Sequence, residues 1–141
     1  MAEQRTLAII KPIAVQNGHT GAILHTICAN GFKLRALKMM KMNKTLAATF
    51  YQEHKDMDFY NDLIDFMTSG PIVAMVIEKE NAIEDFRNLM GATDPSKSKP
   101  GTIRYQYGTS IRANAIHGSK DVESAKREID LIFTKKEIFS F

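Results

Sequence analysis

The sequence predicts an α+β fold in which a small, mostly antiparallel sheet packs against helices. Three observations lead to it: apolar runs at residues 6–10 and 72–77 are typical of buried strands, apolar residues at helical spacing recur between the strands, and a helical stretch follows each strand. The 141 residues are enough for one globular domain, which we expect to span residues 1–141.

The first half of the chain contains two of the predicted strands. The run 6–10 stops before Pro12, because proline cannot continue a hydrogen-bonded ladder. An amphipathic helix at about 23–28 follows. Residues 33–42 then alternate between apolar side chains and cations such as Arg35 on the other face, which predicts a half-exposed strand near a sheet edge.

Two helices are predicted between this strand and the next. Asp58 is available as the N-cap of the second helix, and Gly70 and Pro71 end it. The run 72–77 is apolar throughout, which is expected of a central strand covered on both faces.

The second half of the chain adds a helix, a long loop, a brief strand and a closing helix. Residues 91–113 show no clear period, and loops of that length are uncommon unless they are functional or disordered. The brief strand ends at His117. The element order is β-α-β-β-α-β with a helical pair inserted and one helix appended, which predicts a ferredoxin-like sandwich. For the sheet as a whole, we expect the helices on one face.

Composition excludes several classes of protein. An apolar share of 44% and a charged share of 25% are typical of a soluble globular protein, and a formal net charge of +3 does not indicate a nucleic-acid binder. The apolar run 72–77 is too short to span a membrane. Cys28, the single cysteine, cannot form an internal disulfide, so we expect a cytoplasmic location. Neither a membrane nor a nucleic acid is an expected partner.

One of the four histidines is in a position that suits catalysis. His117 ends a strand and is followed by Gly118 and Ser119 before a helix, so its side chain lies at the edge of a cleft and free backbone N–H groups lie nearby, which favour anions. On these local features, a catalytic histidine and a capped turn histidine both stay open. The histidines expected to be solvated or structural are His19, His25 and His54.

Several cations lie where a merely solvated side chain has little reason to be. Lys11 ends a central strand, and Arg87 lies beside a buried helical stripe. Arg104 and Arg112 lie in the long loop. Each is more often structural than functional, but together with His117 they describe a pocket with several positive donors, as binding of a polyphosphate requires.

The segment 114–119, Asn-Ala-Ile-His-Gly-Ser, resembles the active-site signature of the nucleoside diphosphate kinase family. Further segments stand in the order and spacing of that family: Lys11-Pro12, 69–76, 91–95, 99–104 and 122–125. The resemblance covers the chain from Arg5 to about Glu137. It implies transfer of the terminal phosphate of a nucleoside triphosphate to a nucleoside diphosphate through a phosphohistidine, with ping-pong kinetics.

The resemblance also implies roles for matching positions. His117 would be the nucleophile, with Tyr51 beside it. Glu128 would fix the imidazole, directly or through Ser119. The residues that would hold the phosphates are Lys11, Arg87, Thr93 and Arg104.

The same resemblance implies the ligands and the assembly. Phe59 would stack on one face of the base, with Ile111 of the nucleotide-binding loop on the other, and Lys11 and Asn114 would meet the sugar 3′-hydroxyl. Because stacking tolerates every base, the substrates would be ATP, GTP, ADP, GDP and their deoxy forms. Mg²⁺ would bridge phosphate oxygens and keep several waters, with no metal ligand from the protein. A homo-oligomer, either a tetramer or a hexamer, is expected.

Three departures from the family pattern stand out. Ile13 replaces an aspartate after Lys-Pro, and Lys120 replaces an acidic residue after His-Gly-Ser. In the loop, Tyr-Gln-Tyr at 105–107 replaces Gly-Asp-Phe and Arg-Ala at 112–113 replaces Gly-Arg. These changes bear on the contact with magnesium-bound water, on the conformation of the loop and on contacts between subunits.

Two alternatives compete with an active kinase. The first is a low-activity relative that acts mainly in binding or assembly. Against it stand four residues retained together: Lys11, Arg87, Arg104 and His117. A nucleic-acid module would use the cation cluster at 33–44, which we interpret as protection of an edge strand, and it would need an aromatic RNA-binding string that the sequence lacks.

Overall fold

Four antiparallel strands form a sheet in the computed structural model, which describes residues 3–141. The first two positions of the predicted domain lie outside the described residues. The strands are β1 (Glu3–Ile10), β2 (Lys33–Met40), β3 (Ile72–Glu80) and β4 (Ile116–Gly118). Their order across the sheet is β2-β3-β1-β4, as the β-α-β-β-α-β plan predicts. β1 therefore lies in the middle, and its carboxyl end lies next to β4.

Helices pack on both faces of the sheet, so the expectation of one covered face was wrong. They are α1 (Pro12–Gln16), α2 (Thr20–Ala29), α3 (Lys44–Phe50), α4 (Tyr60–Met67), α5 (Ala82–Met90), α6 (Ile103–Tyr107) and α7 (Val122–Ile132). Along β1, Leu7 and Ile9 join a core with α3, α4 and α7, whereas Ala8 and Ile10 join a second core with α2 and α5. Because side chains alternate along a strand, a run that is apolar throughout needs cover on both sides.

The edge strand β2 contains a bulge that reverses one expectation. The register shifts between Leu34 and Ala36, so Arg35 is the extra residue. Arg35 is buried, not exposed on the outer face as predicted, and its guanidinium lies 2.9 Å from a carboxylate oxygen of Glu78. The backbone N–H of Phe139 donates to the Arg35 carbonyl at 2.8 Å. The chain end thus covers part of this edge.

Two short helices were not predicted. α1 begins at Pro12, which suits the first position of a helix because that N–H needs no partner there. α6 lies inside the predicted loop, where the Thr102 side chain accepts a hydrogen bond from the N–H of Tyr105. Each helix has five residues, which is too short to show an apolar period in the sequence.

The start of α4 also differs from the prediction. Asp58 is not its N-cap, since the helix begins at Tyr60 with Phe59 as the capping position and without a side-chain hydrogen bond. Phe59 therefore lies just outside the helix. In residues 3–141, no helix combines the length and the apolar character needed to cross a bilayer.

Candidate active site

Strand β4 presents His117 at the carboxyl end of β1. His117 pairs with Ile9 in the antiparallel register, and its side chain is 19% exposed. Just before the strand, the Ala115 carbonyl accepts a hydrogen bond from the N–H of Lys11 at 2.9 Å. Ala115 has φ of 77°, in the left-handed region that is unfavourable for alanine. The turn into β4 therefore holds backbone strain next to the histidine.

One carboxylate oxygen holds both His117 and Ser119. Glu128 of α7 places Oε1 2.9 Å from His117 Nε2, and Ser119 Oγ donates to the same oxygen at 2.8 Å. The N–H of Leu7 on β1 donates to Ser119 Oγ at 3.3 Å. Because an ionised carboxylate only accepts, Nε2 carries a proton and the lone pair of a neutral ring lies on Nδ1. His117 therefore contacts Glu128 directly, and the hydrogen bond from Ser119 holds the same carboxylate oxygen in place.

Two aromatic rings pack against the histidine. The centroids of Phe50 and Tyr51 lie 5.2 and 6.4 Å from that of His117, both in edge-on geometry. The Tyr51 hydroxyl is buried and has no hydrogen-bond partner among residues 3–141. Burial, and secondly the charge of Glu128, raise the pKa of Tyr51 well above its ordinary value. Tyr51 is thus a neutral phenol with a free proton to donate.

Lys11 and Asn114 form a buried polar pair beside this centre. Lys11 Nζ donates to Asn114 Oδ1 at 2.7 Å, and Asn114 Nδ2 donates to the Thr93 carbonyl at 3.0 Å. Burial, followed by the positive charges of Arg104 and Arg112, lowers the pKa of Lys11 from 10.5 to about 7. Because the Lys11 ammonium is buried and lies near other cations, an anion that binds beside it strongly stabilises its charged form.

Arg104 connects the long loop to strand β4. Its guanidinium donates to the carbonyls of Gly91 at 3.0 Å and Ile116 at 2.8 Å, whereas its Nε is buried without a partner among the described residues. Burial lowers the pKa of Arg104 to about 10. Gly91 has φ of 91°, and a Cβ there would lie 2.6 Å from the Thr102 hydroxyl. Only glycine fits this close approach without displacement.

Arg87 is exposed and lies near the loop that follows His117. Its guanidinium donates to the Lys120 carbonyl at 3.1 Å, and the Lys120 side chain reaches Glu53 at 2.7 Å. Lys120 replaces the acidic residue of the family pattern, and here its side chain pairs with that of Glu53. Thr93 is also exposed, and its carbonyl accepts the hydrogen bond from Asn114.

The predicted base-stacking residues lie on two segments that an ion pair connects. Phe59 is 40% exposed and Ile111 is 61% exposed, as expected of apolar side chains that await a ligand. Arg112, next to Ile111, lies 3.5 Å from Asp62 of α4. The His54 ring lies 5.5 Å from that of Phe59. Phe59 thus lies beside His54, and the ion pair joins the segment of Ile111 to α4.

Phe50 contributes to this geometry although the sequence assigns it no role. It belongs to an apolar helical stripe, and its ring packs edge-on against His117. Its only signal in the sequence is that it precedes Tyr51. Arg112 is one of the cations predicted for the polyphosphate pocket, and its positive charge helps to lower the pKa of Lys11.

Comparison with known proteins decides the family. A family model described as nucleoside diphosphate kinase matches residues 4–138. The chain belongs to the nucleoside diphosphate kinase family. Relatives named nucleoside diphosphate kinase from a Nitratiruptor species and from Campylobacter hominis are 50% and 51% identical, and each match covers 96% of this chain and 98% of the relative.

Solved structures of nucleoside diphosphate kinases share the fold. That of Aquifex aeolicus is 43% identical with a TM-score of 0.96, over 98% of this chain and all of the other. That of Halobacterium salinarum, in complex with CDP, is 40% identical with a TM-score of 0.96, over 99% of this chain and 93% of the other. The predicted ferredoxin-like α+β class is confirmed.

Membership in the nucleoside diphosphate kinase family confirms the predicted activity. The protein is a phosphotransferase that moves the terminal phosphate of a nucleoside triphosphate to a nucleoside diphosphate. It binds nucleoside di- and triphosphates and works with a divalent cation, as its family does.

Proposed function

We propose that Nδ1 of His117 carries the phosphoryl group between the two nucleotides. The observation that supports it most is the hydrogen bond from Nε2 to Glu128, which leaves the Nδ1 lone pair free. Nδ1 attacks the terminal phosphorus, the bond to the bridging oxygen breaks, and the diphosphate leaves with that electron pair. A second diphosphate then attacks the phosphohistidine and restores the ring. Donor and acceptor use the same site in turn.

Glu128 would stabilise the ring throughout this cycle. Transfer to Nδ1 places positive charge on the imidazole, and a carboxylate at 2.9 Å from Nε2 offsets it. Ser119 holds the same oxygen, so the ring and the carboxylate keep one orientation. Preorganised partners of this kind need no rearrangement when charge develops.

The cations beside His117 would bind the phosphates. Lys11 and Arg104 are buried with depressed pKa values, so both lack the counter-charge that a phosphate supplies. Arg87 and Thr93 are exposed and would complete the binding of the outer phosphates. The Tyr51 phenol would donate to the transferred group, since its proton has no other partner among residues 3–141.

The sugar would bind at Lys11 and Asn114, and the base would bind between Phe59 and Ile111. Asn114 and Lys11 form one polar pair that offers both a donor and an acceptor to the 3′-hydroxyl. Phe59 and Ile111 would enclose the base by apolar contact, which does not read its hydrogen-bonding edge. ATP, GTP, ADP, GDP and the deoxy forms would therefore all be substrates.

The divalent cation of the reaction is proposed to be Mg²⁺ carried on the phosphates. In residues 3–141, no group of three or more histidine, cysteine or acidic side chains is arranged to hold a metal, and Glu128 is already engaged. The donor set suits a nucleotide that brings its own ion, because Mg²⁺ prefers phosphate oxygens and water. Bound there, it would neutralise charge on the transferring phosphate.

We propose homo-oligomer formation, as a tetramer or a hexamer, on the basis of apolar side chains exposed around β2. Leu37, Met39 and Phe139 lie there with more than a third of each exposed, and exposed apolar patches mark interaction surfaces.

The cytoplasmic location stays a prediction from the single free cysteine, Cys28.

The test of the proposed mechanism is phosphoenzyme formation from ATP labelled at its terminal phosphate. Wild type should take up acid-labile label, and His117→Ala should take up none while it still binds ADP. Alanine removes the nucleophile without touching the phosphate donors. Label on the variant at His19, His25 or His54 would refute the assignment.

A further inference from the structure

One arginine of α7 contacts the end of α3. Arg127 precedes Glu128 in α7. Its guanidinium donates to the carbonyl oxygen of Thr49, and also to that of Phe50 at 3.3 Å from Nη2 and 3.4 Å from Nη1. The proposed phosphoryl transfer uses none of these groups.

The position of Arg127 suits the chemistry of a helix end. α3 ends at Phe50, and the last carbonyls of a helix lack partners within it and carry partial negative charge. A planar guanidinium presents several N–H groups in a fixed fork, so it can bond two adjacent carbonyls at once. Arg127 thereby fastens the end of α3 to α7.

The residues fastened in this way contact the proposed nucleophile. Phe50 is 3% exposed, and its ring packs edge-on against His117 at 5.2 Å. Tyr51, the next residue, packs against the same ring at 6.4 Å. Helix α7 therefore holds His117 by two routes: Glu128 bonds it directly, and Arg127 acts through Phe50.

We propose that Arg127 is a positioning residue for phosphoryl transfer. It fixes Phe50 and Tyr51 against the imidazole and so sets the direction in which Nδ1 faces the incoming phosphorus. Small errors in the approach of a nucleophile cost large factors in rate, whereas nucleotide binding uses other groups. The inference rests on the proposed role of His117, and it predicts a loss of rate without a loss of affinity.

The experiment compares Arg127→Met and Arg127→Lys with wild type and with Lys126→Met, a change at the exposed neighbour in the same helix. Rapid mixing with labelled ATP gives the rate constant of phosphoenzyme formation, the final amplitude gives the competent fraction, and titration gives the Kd of ADP. Arg127→Met should lower the rate constant about tenfold and leave amplitude and Kd unchanged. Arg127→Lys should recover part of the rate, because a cation remains without the fork. Lys126→Met should match wild type.

A purely structural role gives a different pattern. Loss of amplitude with an unchanged rate constant would overturn the proposal, and so would an unchanged rate constant in folded Arg127→Met or an equal loss of rate and affinity. If Arg127→Met does not fold, the rate constant of Arg127→Lys decides. A rate constant below that of wild type supports the proposal, and an equal rate constant overturns it.

A double-mutant cycle tests the route through Phe50. The effects of Arg127→Lys and Phe50→Leu on the rate constant should be non-additive if one residue acts through the other. Additive effects would overturn the proposed route. A wild type that forms no phosphohistidine would instead refute the proposed function of His117, which keeps the two failures separate.

Discussion

Raising the pH above 7 should weaken nucleotide binding through Lys11. Its ammonium is the form that attracts phosphate, and its pKa is about 7 because of burial, Arg104 and Arg112. With that pKa, about half of the side chains are charged at pH 7 and about one hundredth at pH 9. If only the charged form binds well, the Kd of ADP should rise about 50-fold across that range, or about 2.3 kcal/mol. Phosphate groups, with a pKa of about 6, are already ionised throughout.

The assay is calorimetric titration with ADP and Mg²⁺ from pH 7 to pH 9, with Lys11→Met as the matched variant. Lys11→Met should bind more weakly at pH 7 and should lose most of the pH dependence. A wild-type Kd that is flat across this range, or a slope that persists in Lys11→Met, would refute the reasoning.

Deprotonation of Lys11 weakens nucleotide binding as the pH rises, but it should increase the stability of the folded protein. In the unfolded chain Lys11 has its ordinary pKa of 10.5, so between pH 7 and 10.5 the unfolded state binds one more proton than the free folded protein. Stability of the nucleotide-free protein should therefore rise with pH in this window. Denaturant unfolding of wild type and Lys11→Met at several pH values checks it. A wild-type rise that is no larger than in the variant would contradict the depressed pKa.

Three further substitutions test the rest of the site. Glu128→Gln keeps the size but not the charge beside Nε2, and should slow phosphoenzyme formation on the order of 100-fold; an unchanged single-turnover rate would contradict its role. Phe59→Ala should weaken ADP and GDP equally, by about 1–3 kcal/mol, with little change in melting temperature because Phe59 is 40% exposed; a large loss of stability with affinity intact would make Phe59 a core residue. Lys120→Asp should change the rate modestly in a magnesium titration; a gain of about tenfold or more would show that Lys120 impairs metal use.

The strands β1, β2 and β3 were predictable because their signals are long and local. The run 72–77 is apolar on both faces, and it falls within β3. Because the run 72–77 is apolar throughout, it indicates that helices cover both faces of the sheet. The expectation for the whole sheet nevertheless placed the helices on one face. The error concerns the inserted helices α3 and α4 and the closing helix α7, which pack on the face opposite α2 and α5. Element order does not fix the face on which such added helices pack.

Short and irregular features were not predictable in the same way. The helices α1 and α6 complete less than two turns, so no apolar period exists to detect. Arg35 lies on an alternating strand, and only the bulge turns it inward to Glu78. A bulge depends on the partner strand, which a local pattern does not describe.

For the candidate site, sequence motifs identified residues and the structure supplied their relations. His117 and Glu128 follow from the family resemblance, but the shared oxygen that joins Ser119 to them is a matter of distance. The depressed pKa of Lys11 arises from burial and from loop cations far away in the sequence. Phe50 is a buried core residue, as its helical stripe indicates, and its contact with His117 cannot be detected from the sequence because the two residues are far apart in the chain.

The central position of β1 has a consequence for anyone who engineers this protein. Its N–H at Leu7 anchors Ser119, its register sets His117 opposite Ile9, and its end delivers Lys11. The same strand supplies apolar side chains to both cores. Substitutions that repack β1 for heat tolerance will therefore shift the proposed catalytic groups as well. Stabilising changes are safer on exposed helix surfaces remote from His117, such as that of α2, where gains in thermal tolerance need not be traded against turnover.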